Sequence, residues 1–181
     1  MWWVAAVAAG AVLLYGIVTF NRLVALRTRV DNGWSQIDVQ LRRRYDLIPN
    51  LVETVRGYAA HERELFERVA EARARAIDAR GVAHQAQAED QVTRGVRRLL
   101  AVAEAYPELR ASAQFLALQE ELTATESKIA YARQFYNDQV MRLNTLIGSF
   151  PSSLVARLFG FAPRDFFDIE EPVRGPVGVD L

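Results

Sequence analysis

Apolar positions recur at helical spacing along most of this chain, and a single proline interrupts the longest register. In residues 34–55, WSQIDVQLRRRYDLIPNLVETV, Trp34, Leu41, Ile48 and Val55 share one heptad line, with Ile37, Arg44, Leu51 and Tyr58 on the next. That is the seam of packed antiparallel or coiled helices, and Arg44 interrupts it. The pattern predicts a first long helix over 21–58 with two weak points, Gly33 and Pro49. Gly33 reads as a hinge. Pro49 removes the hydrogen bond its amide would give to the Tyr45 carbonyl and disfavours helical angles at Ile48, so a kink or restart is expected.

Three more helices follow by the same reasoning. Residues 61–79 carry the stripe Leu65, Phe66, Val69, Ala72 and Ala76, and Gly81 supplies the stop. Residues 84–106 bury Val92, Val96, Leu99, Leu100 and Ala103, and Pro107 opens a long helix that runs to Gly148. No period-two run bounded by turn residues suggests a strand. The fold class is therefore all-α: an N-terminal transmembrane helix, then an antiparallel up-and-down four-helix bundle of two long and two shorter helices, with a short C-terminal helix. Because the middle helices are short, Trp34 and Ile37 would face Phe135, Tyr136 and Met141 with too few walls around them. The Phe-rich segment 150–169 is expected to fold back as the missing cover, with Ser152 or Ser153 capping its short helix. Contact with the membrane interface is a competing use of the same phenylalanines.

Residues 2–20 hold no charge, and as a helix they would span about 28 Å, close to the thickness of bilayer hydrocarbon. No Lys or Arg precedes this run and no small-x-small site closes it, so it reads as an uncleaved anchor rather than a secretory signal. Arg22, Arg27 and Arg29 follow it. The positive-inside rule then places the chain in a membrane N-out, with the bundle in the cytoplasm and those arginines suited to acidic headgroups. The division is an anchor over 1–20, the bundle over 21–149, the Phe-rich segment over 150–169 and a flexible tail over 170–181.

Composition narrows the chemistry. Lys plus Arg balance Asp plus Glu at 22 each among 181 residues, so no global basic excess points to nucleic acid. Cysteine is absent, which removes disulfides and thiolate sites, and His61 and His84 have Tyr58 and Gly81 three residues before them, so the Glu-x-x-His pairs of di-iron bundles are missing. No phosphate loop or nucleophile elbow occurs. No catalytic residue, metal or cofactor is expected. On the last long helix, Gln119, Glu126 and Arg133 fall on one heptad line, with Thr123, Ala130, Asn137 and Asn144 beside it. Levelling the two long helices puts Arg44 near Glu126, as a register-setting pair or as part of a site. Around the proline, Asp46, Asn50 and Glu53 cap a restarted helix or bind a cation or a polar partner at the freed Tyr45 carbonyl.

The blocks NGWSQIDVQLRRRYDLIPNLVETVRGYAAHE, AVAEAYPELRA, FLALQEELTATESKIAYARQFYNDQV and FPSSLVARLFGF, within residues 20–168, resemble the LemA family of bacterial membrane proteins. The resemblance implies a single-span anchor and a helical bundle at the bacterial inner membrane, without an established activity. It further implies membrane-protein quality control beside a membrane zinc protease, or envelope and organelle organisation. The sequence-based expectation is a non-enzymatic scaffold or adaptor that binds the bilayer and a protein partner, either a membrane protease or further copies of itself. An accessory subunit of a membrane enzyme and an anionic-lipid-binding module are the alternatives.

Overall fold

The computed structural model describes residues 2–167, and the regular elements among them are all α-helices. They are α1 (Trp2–Arg56), α2 (Arg63–Asp78), α3 (Val82–Glu104), α4 (Pro107–Arg110), α5 (Ala113–Gly148) and α6 (Ser152–Leu158). The expected tail over 170–181 and the end of the Phe-rich segment lie outside the described residues. The helices form two compact units, residues 2–39 with 129–166 and residues 40–128 with Phe167, and α1 and α5 contribute to both.

In the first unit, α1 begins with its apolar side chains exposed. Its most apolar 18-residue window has a mean hydropathy of 2.1 and is only 6% buried. From Thr19 onward a buried face appears, through Leu23, Leu26, Val30, Gly33 and Ile37, at the three-and-four spacing of one helix side. On α5 the corresponding face is Ile129, Ala132, Tyr136, Val140 and Leu143. The two helices approach closely at Gly33, where an added Cβ would lie 3.2 Å from the Tyr136 Cα, and the Trp34 and Tyr136 rings are 5.8 Å apart. Gly33 thus sits inside an unbroken helix as a contact point. The hinge expected there is not found, because the missing side chain serves packing.

The segment after α5 returns to both helices of this unit. Asn144 donates to the Arg164 carbonyl at 2.8 Å and accepts from the Arg164 amide at 2.9 Å. Tyr136 donates to the Asp165 carbonyl at 2.9 Å, and Arg164 bonds Asp31 at 3.0 Å. Phe159 and Phe161 pack around Phe20, with ring centroids 4.7 and 5.8 Å away. Polar groups holding backbone do much of this work, since Phe150, Leu154, Leu158, Phe159 and Phe166 stay exposed. Ser152 does not cap α6: it lies in the first turn, and its hydroxyl donates back to the carbonyls of Leu146 and Ser149 at 2.6 and 2.8 Å. It satisfies acceptors left over at the end of α5.

In the second unit, α1 buries Leu41, Arg44, Tyr45, Ile48, Leu51 and Val55, and it passes Pro49 without a break. The restart expected at the proline does not occur. α2 buries Leu65, Phe66, Val69, Ala72 and Ala76, and Arg56 at the end of α1 lies over the Phe66 ring at 5.4 Å. Gly81 takes a positive φ of 83° at the start of α3, an angle that suits glycine. The single helix expected from Pro107 to Gly148 is split. α4 closes with the Ser112 amide on the Leu109 carbonyl at 3.0 Å, and α5 restarts with the Leu116 amide on the Ser112 carbonyl at 3.0 Å. Fully buried Leu109 pins this turn.

If Gly33 is a contact point, Gly33→Leu should destabilise the protein by about 1–3 kcal/mol through overpacking. Chemical denaturation of the detergent-solubilised chain measures this, and an unchanged midpoint would restore the hinge.

Candidate functional site

The strongest concentration of buried polar chemistry lies around Arg44 and Tyr45. Both point inward because heptad positions of α1 face the core there, and Arg44 is 3% exposed. A guanidinium stays protonated at any ordinary pH, so burial obliges the fold to supply acceptors. The Arg44 Nη1 donates to Glu126 of α5 at 2.7 Å and to the Thr93 hydroxyl of α3 at 3.1 Å. Its Nη2 donates to the Glu89 carboxylate of α3 and reaches the Glu89 carbonyl at 3.4 Å.

Glu89 is the centre of the network, itself 3% exposed. One carboxylate oxygen takes the Arg44 bond, and the other accepts from the Tyr45 hydroxyl and from the Gln85 amide, the latter at 3.0 Å. The Gln85 amide also lies 2.9 Å from the Tyr45 oxygen and 3.1 Å from the Ala76 carbonyl of α2. The Tyr45 hydroxyl is held well above the usual phenol range, first by burial and then by the charge and hydrogen bond of Glu89, against the opposing Arg44 charge. Tyr45 is therefore a neutral donor. Both oxygens of Glu89 accept from protein donors, so this buried arrangement ties α1, α2 and α3 together.

The same stretch solves the problem set by Pro49. Proline supplies no amide to the Tyr45 carbonyl, and the Nε of Arg73 on α2 donates to that oxygen at 2.7 Å. A tertiary hydrogen bond replaces the missing helical one, which lets α1 continue.

The sequence-derived candidates divide between the two units. Arg44 and Glu126 do meet, but Glu126 is half exposed and is the outer of two carboxylates on Arg44. Asn50 is an exposed interior residue of α1 whose carbonyl accepts from Thr54 at 2.8 Å, so it caps nothing. Arg133 and Asn137 are half-buried in the first unit and engaged in interactions there. The expected polar seam of α5 is half-buried at Arg133, Asn137 and Asn144 and exposed at Gln119, Thr123, Glu126 and Ala130, and the buried lines are Phe115, Leu122, Ile129, Tyr136 and Leu143, with Thr125, Ala132 and Gln139 beside them. Apolar residues make up most of the buried lines, as transfer energies favour, with Thr125 and Gln139 among them. Arg22, Arg27 and Arg29 are exposed on α1. Glu89, Gln85 and Arg73 were not anticipated. Extending the α3 stripe back from Val92 by three and by seven residues lands on Glu89 and Gln85, so the periodicity held that signal. Arg73 had none, since its role depends on tertiary register.

Among the described residues the regular elements are all helices, α1 begins with a run long and apolar enough to cross a membrane, and a buried ion network ties its later part to α2, α3 and α5, features compatible with a membrane-associated helical protein. Residues 33–181 match the model of the LemA family, and the chain belongs to that family. It is similar to Magnetosome protein MamQ 2 of Paramagnetospirillum magneticum, with 22% identity covering 86% of this chain and 66% of that protein. It is also similar to Magnetosome protein MamQ of Magnetospirillum gryphiswaldense, with 21% identity covering 83% of this chain and 65% of that protein. The chain thus spans just under two thirds of the length of these curated relatives.

Replacing Arg73 by Met should cost about 1–3 kcal/mol, the penalty of a buried carbonyl left unpaired. Pro49→Ala should remove most of that cost, because alanine's amide restores the helical bond. Additive effects in the double variant, measured by chemical denaturation, would show that the arginine does not substitute for the lost amide.

Proposed function

We propose that this LemA-family protein is a membrane-anchored helical scaffold or adaptor without catalytic activity, working in membrane-protein quality control or envelope organisation. The observation that carries the reading is the start of α1, an uncharged helical run with its apolar sides exposed. Water disfavours such a surface, and bilayer hydrocarbon accepts it. Arg22, Arg27 and Arg29 directly beyond it favour an N-out orientation with the remaining helices in the cytoplasm.

In this reading the helices beyond the anchor form an antiparallel bundle. Support comes from contacts of α1 that pair rising numbers with falling ones on α5, and from Arg44 reaching both α3 and α5. The bundle over 21–149 is the working body, and residues 150–166 both cover its first unit and touch the membrane interface. Phe159 lies against Phe20, the last residue of the apolar run, with Phe150, Leu154 and Leu158 exposed nearby in sequence. Val39, Tyr131 and Phe135 add exposed apolar surface for a protein partner, a membrane protease or a second copy. The relatives' name, magnetosome protein, is in keeping with a role in organising membranes.

The chain has no cysteine, so one introduced thiol reports alone. A Ser127→Cys variant should stay with membranes after alkaline extraction. In intact cells it should resist a membrane-impermeant maleimide, and it should label after permeabilisation. Release by alkali would remove the anchor, and labelling of intact cells would reverse the topology. A photo-crosslinker at Tyr131 then separates the partner readings: self-adducts support a scaffold, and recurrent adducts to one membrane enzyme support an accessory subunit.

A further inference from the structure

A groove of about 480 Å³ opens between α1 and α5 within the first unit, just beyond the apolar run. Its charged lining is Arg22 and Arg29 of α1 and Arg142 of α5, and Leu26, Leu146 and Thr145 are among the other lining residues. Arg22 and Arg29 share one side of the helix because they are seven residues apart, whereas Arg27 points elsewhere and does not line the groove. Among the described residues, none of these three arginines has a hydrogen-bond or ion-pair partner, while Arg43, Arg44, Arg68, Arg75, Arg94 and Arg164 all bond carboxylates.

Three like charges lining one groove favour an anion in the space between them. Position supplies the second argument. Arg22 follows Phe20 by two residues, about 3 Å along a helix, and Arg29 stands about 13 Å beyond it. The headgroup layer begins where the hydrocarbon ends and is about 5–8 Å thick, so Arg22 lies within it, and the Arg29 backbone stands about 5 Å past its outer edge, with a long side chain that leans back toward it because helical side chains tilt toward the N-terminus. Guanidinium forks match phosphate oxygens, and an apolar floor beside them suits the start of an acyl chain.

We propose that this groove is a binding site for the headgroup of an anionic phospholipid, held by Arg22, Arg142 and Arg29. The proposal rests on the anchor reading for its depth in the bilayer. It differs from general attraction of basic residues to an acidic surface, because it assigns Arg142 to the site and leaves Arg27 out.

The full chain in neutral detergent, titrated with phosphatidylglycerol, phosphatidylcholine or inorganic phosphate, tests this by native mass spectrometry and by melting temperature. Phosphatidylglycerol should bind and raise the melting temperature of the wild type and of Arg27→Gln. The double variant Arg22→Gln with Arg142→Gln, and separately Arg29→Gln, should bind it about tenfold more weakly, as expected for lost charge-assisted hydrogen bonds. All these arginines are exposed, so helical circular dichroism should be unchanged in every variant. Equal losses from Arg27→Gln would reduce the effect to general electrostatics and overturn the site. Equal retention of phosphatidylcholine, or equal stabilisation by phosphate alone, would overturn it as well. Alkaline release of the protein from membranes would defeat the anchor, which this titration does not depend on.

Discussion

Burial of the Arg44 guanidinium is the constraint on which the second unit is organised. A lysine can shed its proton in a dry core, but an arginine cannot, so the charge has to be met where it lies. Glu89 meets it from α3 and Glu126 from α5, with Thr93 taking a further bond. Tyr45 and Gln85 then engage the second oxygen of Glu89, and Gln85 reaches α2 through the Ala76 carbonyl. Each of these partners can act from only one rotation and one height of its helix. A core of apolar residues alone would tolerate sliding by a heptad, whereas this set of directed bonds fixes the register.

Pro49 works with the same constraint. It lies one turn beyond Tyr45 and withdraws the donor for that residue's carbonyl, which Arg73 supplies from α2. One short stretch of α1 is thereby tied to α2, α3 and α5 by polar bonds, two of them arginines meeting acceptors that apolar packing cannot satisfy. Without cysteine the chain has no covalent staple, so buried charge is one means by which its residues set register.

Most of the helices could be read from periodicity, because each carries a regular apolar stripe: all five residues of the stripe expected on α2 are buried in the fold. The all-α class, the Arg44–Glu126 contact and the orphaned Tyr45 carbonyl were readable for the same reason, since heptad arithmetic and proline chemistry are local. Three things were not. Continuity through Pro49 depends on Arg73, a tertiary partner from another helix. The inward phase of the first half of α5 is not legible, because its polar residues also repeat in sevens and periodicity does not say which line faces inward. Gly33 reads as a hinge from the sequence because glycine serves flexibility and close approach alike, and only the position of Tyr136 distinguishes them.

The chain belongs to the LemA family, and the buried network explains how the helices of its second unit keep one register. The most direct test is a double-mutant cycle on Arg44→Met and Glu89→Leu, read by chemical denaturation of the full chain in detergent. Each single change strands a buried charge and should cost about 3–5 kcal/mol, and the double variant should recover much of that loss. Single changes that cost almost nothing, or effects that simply add, would contradict a fold registered by this ion pair.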